Sequence, residues 1–368
     1  MFKKTSSKYF HLVFSVFVVL VFIFSCAQTK ALATGWTSAY YGFKSENGAT
    51  LIYVESLTAS GDSSLITIKN SAGTVQKRIL IDAGKEGGGV AAKLKSMGIK
   101  TINVAIITHN DSDHLNGLLK FEGSGIKITD LYYSFPHSRF NSENTKIPDA
   151  LTFVKGLKNK VVTNKAIRVQ DAQFNSGESA NVNMETGNTE YLKICRGRLV
   201  KLSSTSATNG YDLTIIPPIT REATGWNAND TSMMVVLETT RDKVIFGGDI
   251  QGTATYQIIN YKNAGSVVLQ TPNDAYSYYY GIEKYLFDKP SNHKYTVYKI
   301  SHHGTGTNRT LTTTTGVKAN ETAFLIKMNP DALVANGASV AVNTEYYRTI
   351  FSKTKNAMYT QFANTKFQ

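Results

Sequence analysis

The sequence predicts a mixed α/β fold in which buried strands carry polar loops to one site. Three observations predict it. Apolar runs of strand length recur between residues 50 and 335. Helix-like stretches fall between several of them. Three runs end directly in loops rich in histidine or aspartate: THNDSDHLNG at 108–117, IFGGDI at 245–250 and KISHHGTGTN at 299–308.

The elements follow in order. TLIYVE (50–55) reads as a strand, and SLITIKN (64–70) follows the turn at Gly61-Asp62-Ser63. After a turn over Asn70 to Gly73, VQKRILIDAG returns as a strand ending at Asp82. These first strands look antiparallel, being joined by short turn signals. Gly87 to Gly89 is flexible, and VAAKLKSMG (90–98) has helical spacing with Gly98 as its stop. TINVAII (101–107) is the strand before the first ligand loop; LNGLLKFEG then looks helical and ITDLYYSF strand-like. The stretch from about 138 to 205 is polar and weakly periodic, and reads as loops and short strands inserted between two halves of the core. DLTIIPP, SMMVVLET and KVIFGGD give three more strands, the last ending at Asp249. A helix is expected over 273–287, then the strand YTVYKI before the paired histidines. ETAFLIKMNPDALVANG and TEYYRTIFSKT read as strand, strand and helix.

The loop at 108–117 places His109, Asp111, Asp113 and His114 within six positions. The chain has seven histidines, and four fall in two short loops, the second pair being His302 and His303. A random scatter would seldom do this directly after apolar strands. Imidazole and carboxylate together suit a borderline Lewis acid such as zinc. So many donors exceed the need of one ion and point to a pair about 3.5–4 Å apart. Loops at the ends of strands in one layered fold can meet although they are far apart in sequence.

The amino terminus reads as an export signal. Lys3, Lys4 and Lys8 precede an apolar run from Leu12 to Phe24, and Ala31-Leu32-Ala33 offers small residues for cleavage after Ala33. The run is shorter than the roughly 20 residues that span a bilayer. Ile23-Phe24-Ser25-Cys26 resembles a bacterial lipoprotein box, so lipidation at Cys26 after removal of 1–25 is the alternative, with a membrane tether at the cell surface. Residues 34–368 then form a single domain. Cleavage after Ala33 leaves Cys195 alone, which excludes an internal disulfide; its apolar setting favours a small buried hydrophobe over a nucleophile.

The formal charge is +13, of which four lysines lie in the leader. The basic remainder favours an anionic partner such as nucleic acid or another phosphodiester. The basic residues are scattered, with no arm of the kind that tracks nucleic acid. Tyr276, Tyr278, Tyr279 and Tyr280, with Tyr132 and Tyr133, can serve either as a stacking platform or as packing.

HNDSDH resembles the His-x-His-x-Asp-His signature of the metallo-β-lactamase superfamily, with Asp111 in place of its second histidine. The His-x-Asp-x-Asp-His form is similar to that of the C-terminal hydrolase domain of the DNA-uptake protein ComEC and its free-standing relatives. GDSSLI (61–66), ILIDAG (79–84), NDTSMMVVL (229–237), IFGGDI and KISHHGTGTN resemble further motifs of that domain in the same order. The resemblance implies an αββα four-layer sandwich with active-site loops along one edge, and a hydrolase without an organic cofactor. The many transmembrane helices of the uptake channel have no counterpart here, so DNA transport is not implied.

The resemblance also implies roles. His109 and Asp111 would hold one ion. Asp113, His114 and a histidine of the 302–303 pair would hold the other, with Asp249 bridging both. Within that pair His302 is taken as the ligand and His303 as the donor to the leaving oxygen, the reverse remaining open. Asp113 would also orient the nucleophile, a metal-bound hydroxide. Thr305 and the backbone at Gly304 could hold a non-bridging oxygen. Asp82 would brace the ligand loop from behind. Two zinc ions are expected, with manganese as the alternative because Asp111 is a harder donor than histidine. The superfamily's intermediate histidine ligand has no clear match, His137 being the one histidine between 114 and 293. The expected function is an exported metal-dependent phosphodiesterase or nuclease. A β-lactamase-like or other ester hydrolase, and a non-catalytic metal-bearing surface protein, are the alternatives.

Overall fold

A computed structural model of the chain describes residues 36–37, 42–47, 50–58, 61–134, 144, 146–147, 150–158, 160–169, 200–201, 210–216, 218, 228–239, 241–250, 285–289, 295–304, 324–335 and 357–360. The leader with Cys26, and also His137, Cys195, Tyr276 to Tyr280, Thr305 and the segment 344–354, lie outside them.

The first sheet holds β1 (Trp36–Thr37), β2 (Gly42–Asn47), β3 (Thr50–Ser56), β4 (Ser64–Asn70), β5 (Val75–Ile81), β6 (Thr101–Ile107), β7 (Lys127–Tyr133) and β8 (Val162–Arg168), side by side in chain order. The second holds β9 (Val200–Lys201), β10 (Asp212–Ile216), β11 (Met234–Glu238), β12 (Asp242–Phe246), β13 (Tyr295–Lys299), β14 (Ala332–Ala335) and β15 (Ala357–Thr360), again sequential. In each sheet the early strands pair antiparallel and the last four pair parallel, from β5 to β8 and from β12 to β15.

Continuous apolar runs form these strands because both faces of the first sheet are covered. Side chains alternate between faces along a strand. Thus Ala105 and Ile107 of β6 pack toward the helices, whereas Val104 and Ile106 enter the core shared with the second sheet. β5 divides in the same way, Leu80 outward and Ile79 and Ile81 inward. Leu213, Ile215, Val235, Leu237, Val244, Phe246 and Val297 answer from the second sheet. The second sheet is covered outside too: Tyr298 meets Phe324 with ring centroids 6.2 Å apart, and Phe324 meets Phe287 at 5.6 Å. The mixed α/β fold with two facing sheets agrees with the expected sandwich.

A buried cation also serves the outer layer. Lys243 is 1% exposed, and its Nζ donates to the carbonyls of Tyr285 (2.8 Å) and Asp288 (2.5 Å).

Two elements depart from the expectations. Residues 324–328, read as strand, are helical, with Phe324, Leu325 and Met328 buried and Ile326 63% exposed. A buried strand would have hidden Ile326, whereas helical spacing turns it outward. The polar stretch from 138 onward also carries regular structure. The helix Ala150–Leu157 buries Val154 and Leu157, and β8 pairs parallel with β7. This part continues the first sheet's helix–strand pattern.

The loops are fixed by backbone approach. The Gly117 amide donates to the Gly84 carbonyl (2.8 Å) and the Ala83 amide to the His114 carbonyl (2.7 Å). A Cβ on Gly117 would lie 1.8 Å from the Ala83 oxygen. Gly117→Ala should therefore force the ligand helix off the strand end. It should lower unfolding stability in a denaturant titration by about 1–3 kcal/mol, the usual range for overpacking; an unchanged midpoint would show that the approach is not needed.

Candidate metal centre

The site forms where β5 and β6 in one sheet, and β12 and β13 in the other, run out at the same edge. Beyond β6 the chain turns into Asp111, extended at φ −67°, ψ 150°, and the single helical turn Ser112–Leu115. His109 and His114 are both fully buried. Their ring centroids are 4.1 Å apart, and the His303 ring lies 5.3 Å from that of His114.

Each inward ring is held from behind. Asp82, in left-handed backbone at φ 58°, accepts from the Thr108 amide (2.7 Å) and the Thr108 hydroxyl (2.9 Å). His114 Nδ1 sits 2.8 Å from the same carboxylate. An ionised carboxylate can only accept, so Nδ1 of His114 carries the proton. The single Thr108 hydroxyl proton is committed to Asp82. At His109 Nδ1, 3.1 Å away, that hydroxyl can therefore only accept. Ser232 Oγ lies 3.1 Å from the same nitrogen and accepts from the Asp249 amide at 2.9 Å.

Both Nε2 atoms are thus left facing inward. They are buried and have no hydrogen-bond partner. Asp249 Oδ2 lies 3.2 Å from Nε2 of His114, 3.6 Å from Nε2 of His303 and 3.8 Å from Nε2 of His109. Asp113 Oδ2 is 3.1 Å from His303 Nε2, and Asp111 Oδ2 is 3.5 Å from His109 Nε2. His302 adds its backbone amide, donating to Asp249 Oδ1 at 3.2 Å. Its neighbour's ring turns inward because both residues adopt left-handed backbone, at φ 49° and φ 54°.

Orphaned imidazole nitrogens ringed by carboxylate oxygens fit a divalent cation. His109, His114 and Asp249 form one group that could hold an ion, and Asp62, His114 and His303 form a second. The second is a poorer cation site. His114 Nδ1 already faces Asp82, and the Lys299 ammonium rests against the Asp62 carboxylate.

The charges are strongly coupled. Burial pushes His114 down, but Asp249 and Asp82 outweigh it and hold its imidazolium well above the usual histidine range. Burial pushes Asp249 up, and His114 and His303 drive it well below the carboxylate range. Asp113 is likewise raised by burial and lowered further by His303 and His114. Burial lowers His302, with Asp249 opposing.

Sequence reasoning named six residues as ligands, and five of them, His109, Asp111, Asp113, His114 and Asp249, converge here with His303. Asp82 stands behind His114 as expected. Asp62 and Lys299 were missed. A lysine inside the apolar strand YTVYKI was the available signal, because a buried ammonium needs a counter-charge. Tyr132 and Tyr133 are buried in the first sheet, which makes them packing.

Asp82→Asn should weaken metal affinity by about 10–100-fold, as for other groups that orient a ligand; competition with a chromophoric chelator measures it. The pH dependence has a definite sign. Without metal, the raised His114 stabilises the fold below about pH 6.5, and that contribution is lost as pH climbs through its folded value. The depressed Asp113 and Asp249 contribute above about pH 4, and lose it as pH falls through theirs. Metal must displace the His114 proton, so affinity should rise with pH. The melting temperature of metal-free protein should fall above about pH 6.5 while the increment from added metal grows; parallel curves would show that His114 does not compete.

The sequence matches the metallo-beta-lactamase superfamily over residues 60–264. No curated protein matches it. Among solved structures, it is similar to the metallo-beta-lactamase fold protein YhfI from Bacillus subtilis, at 10% identity and a TM-score of 0.42, covering 86% of this chain and 98% of that one. Unliganded yeast PDE1 gives 11% identity and a TM-score of 0.40 over 84% of this chain and 97% of the other. A diphosphatase from the PhnP family gives 12% and 0.37 over 83% of each. At these values the likenesses say nothing about activity. The family match spans more than half of the chain and includes the loop at 109–114 and Asp249, so the chain belongs to the metallo-beta-lactamase superfamily.

Proposed function

We propose that this chain is an exported, metal-dependent phosphodiesterase, a free-standing relative of the ComEC hydrolase domain. The observation that carries the hydrolase reading is the pair of buried, unpartnered Nε2 atoms around Asp249 Oδ2. The ordered motifs support the ComEC relation, and the formal charge of +9 that remains on residues 34–368, +13 less the four leader lysines, supports an anionic substrate.

His109 and Asp111 would hold one ion, and Asp113, His114 and His303 the other, with Asp249 shared. This reading takes His303, the alternative left open by the sequence, as the ligand of the pair. The physical reason is orientation: the His303 ring faces Asp113 and Asp249, whereas His302 braces Asp249 through its amide. Zinc suits the imidazoles and manganese the carboxylates. When bound, such ions supply Lewis acidity and lower the pKa of water from about 15.7 to about 7.

The protein's own contribution is placement. Asp113, held ionised beside His303, can accept a hydrogen bond from the attacking water and fix its lone pair on phosphorus. Hydrolysis forms one P–O bond to that water, breaks the ester P–O bond and transfers a proton to the departing alkoxide. The leader would direct export, with cleavage after Ala33 or lipidation at Cys26; the mass of the mature protein separates these.

Purified residues 34–368 should hydrolyse bis-(p-nitrophenyl) phosphate or DNA with zinc or manganese, and lose the activity on chelation. Turnover of nitrocefin with no phosphodiester cleavage would sink the reading in favour of a β-lactamase. Metal retention with no turnover of any ester would favour a binding protein. His303→Ala should retain about one ion fewer than wild type, and His302→Ala should retain both. Equal metal content in the two variants would undo the assignment.

A further inference from the structure

Two of the three inward imidazoles have an evident orienting group, and the third has a less expected one. His303 Nδ1, on the ring edge away from Asp113, lies 3.3 Å from Asp62 Oδ1. Asp62 is 3% exposed and sits in the loop before β4, on the opposite sheet from His303. Its backbone is pinned: its amide donates to the Asp113 carbonyl at 2.9 Å. Gly61, at φ 86°, approaches so closely that a Cβ would lie 2.2 Å from that carbonyl. The other carboxylate oxygen, Oδ2, is in contact with Nζ of Lys299 at the end of β13.

Lys299 is 5% exposed. Around it, a small cavity is walled by Asp62, Asp82, Ser64, Thr108, Ile81 and Phe246, with Gly248. Asp82 is committed to Thr108 and His114, which leaves Asp62 as the counter-charge. Burial pushes the Lys299 ammonium well down, and Asp62 is the carboxylate placed against it. Asp62 is equally dependent on Lys299, since a buried carboxylate facing two imidazoles and no cation would be free to turn toward either.

We infer that Lys299 is a positioning residue that acts through Asp62 on His303. By occupying Oδ2, the ammonium keeps Asp62 out of the metal's own coordination. It also aims Oδ1 at His303 Nδ1, fixing the tautomer in which Nε2 is the donor to the ion. The inference rests on the metal-centre reading above and deepens it. It gives His303 a carboxylate beside its Nδ1, as Asp82 gives His114, but at 3.3 Å rather than 2.8 Å and assembled from both sheets. Removing Lys299 should therefore loosen one ion of the two and leave the ion on His109 and Asp111 unaffected.

The test is a two-step zinc titration of residues 34–368 against a chromophoric chelator, with Asp111→Ala marking the step that belongs to the other ion. Lys299→Met should weaken the His303 step by about 10–100-fold, the range for groups that orient a ligand, and leave the Asp111 step unchanged. Asp62→Asn should do the same. If Lys299→Met fails to fold because Asp62 is left unpaired, Lys299→Met with Asp62→Asn removes both charges at similar volume, a change buried pairs often tolerate. That double variant should fold, keep the Asp111 step and weaken the His303 step no more than the worse single change. Two unaltered steps in the double variant would overturn the inference, and so would an equal loss in both steps. A wild-type protein that binds no zinc or manganese would instead refute the metal-centre reading itself.

Discussion

A carboxylate enclosed by protein must find donors for its oxygens, and Asp82 finds them all on the segment that carries the inward histidines. Thr108 gives it an amide and a hydroxyl proton, and His114 gives it Nδ1. Much else follows from these contacts. The spent Thr108 proton leaves that hydroxyl able only to accept at His109, and the His114 contact determines which nitrogen of the second ring is protonated. Asp82 holds left-handed backbone to reach them, a conformation that costs free energy in a non-glycine residue. The backbone bonds from Ala83 to His114 and from Gly117 to Gly84 over-determine that conformation.

The two sheets share one plan. In each, early antiparallel strands give way to four parallel ones, and the first two of those four end at the site. β5 leads to Asp82 and β6 to the 109–114 loop; β12 leads to Asp249 and β13 to the paired histidines. No repeat is visible in the sequence because the correspondence is one of strand order and direction. Ligands meet at the carboxyl ends of parallel strands, where the sheet stops and backbone groups become free to shape a loop. The sharing of Asp249 and the cross-sheet contact of Lys299 with Asp62 show that neither half makes the site alone.

Much of this was legible in the residues. β4 to β7 were readable because β-branched runs buried on both faces leave few alternatives. The loop at 109–114 was readable because its donors are adjacent in sequence. Short apolar runs were harder: ETAFLIK has no period long enough to separate strand from helix, and the outward Ile326 decides it in three dimensions. The helix at Ala150–Leu157 was masked by the polar residues on both sides of it. The choice between His302 and His303 was not legible at all. Adjacent residues of one type differ here only in the backbone dihedrals that aim their rings, and no composition encodes those.

Asp249 and His303 come from one sheet, and His109, Asp111, Asp113 and His114 from the other. An ion held by both sets would be a cross-link between chain segments from 135 to 194 residues apart (249 − 114 and 303 − 109). Cys195 is the one cysteine of residues 34–368, so no disulfide can close that loop. Closing a loop of this length withdraws entropy from the unfolded chain, and the withdrawal grows slowly with loop length. Coordination would therefore do for this fold what a covalent bridge does in others, and do it reversibly. A medium that strips divalent ions would then slacken the seam between the sheets, so the supply of metal would become a term in how long the folded protein survives.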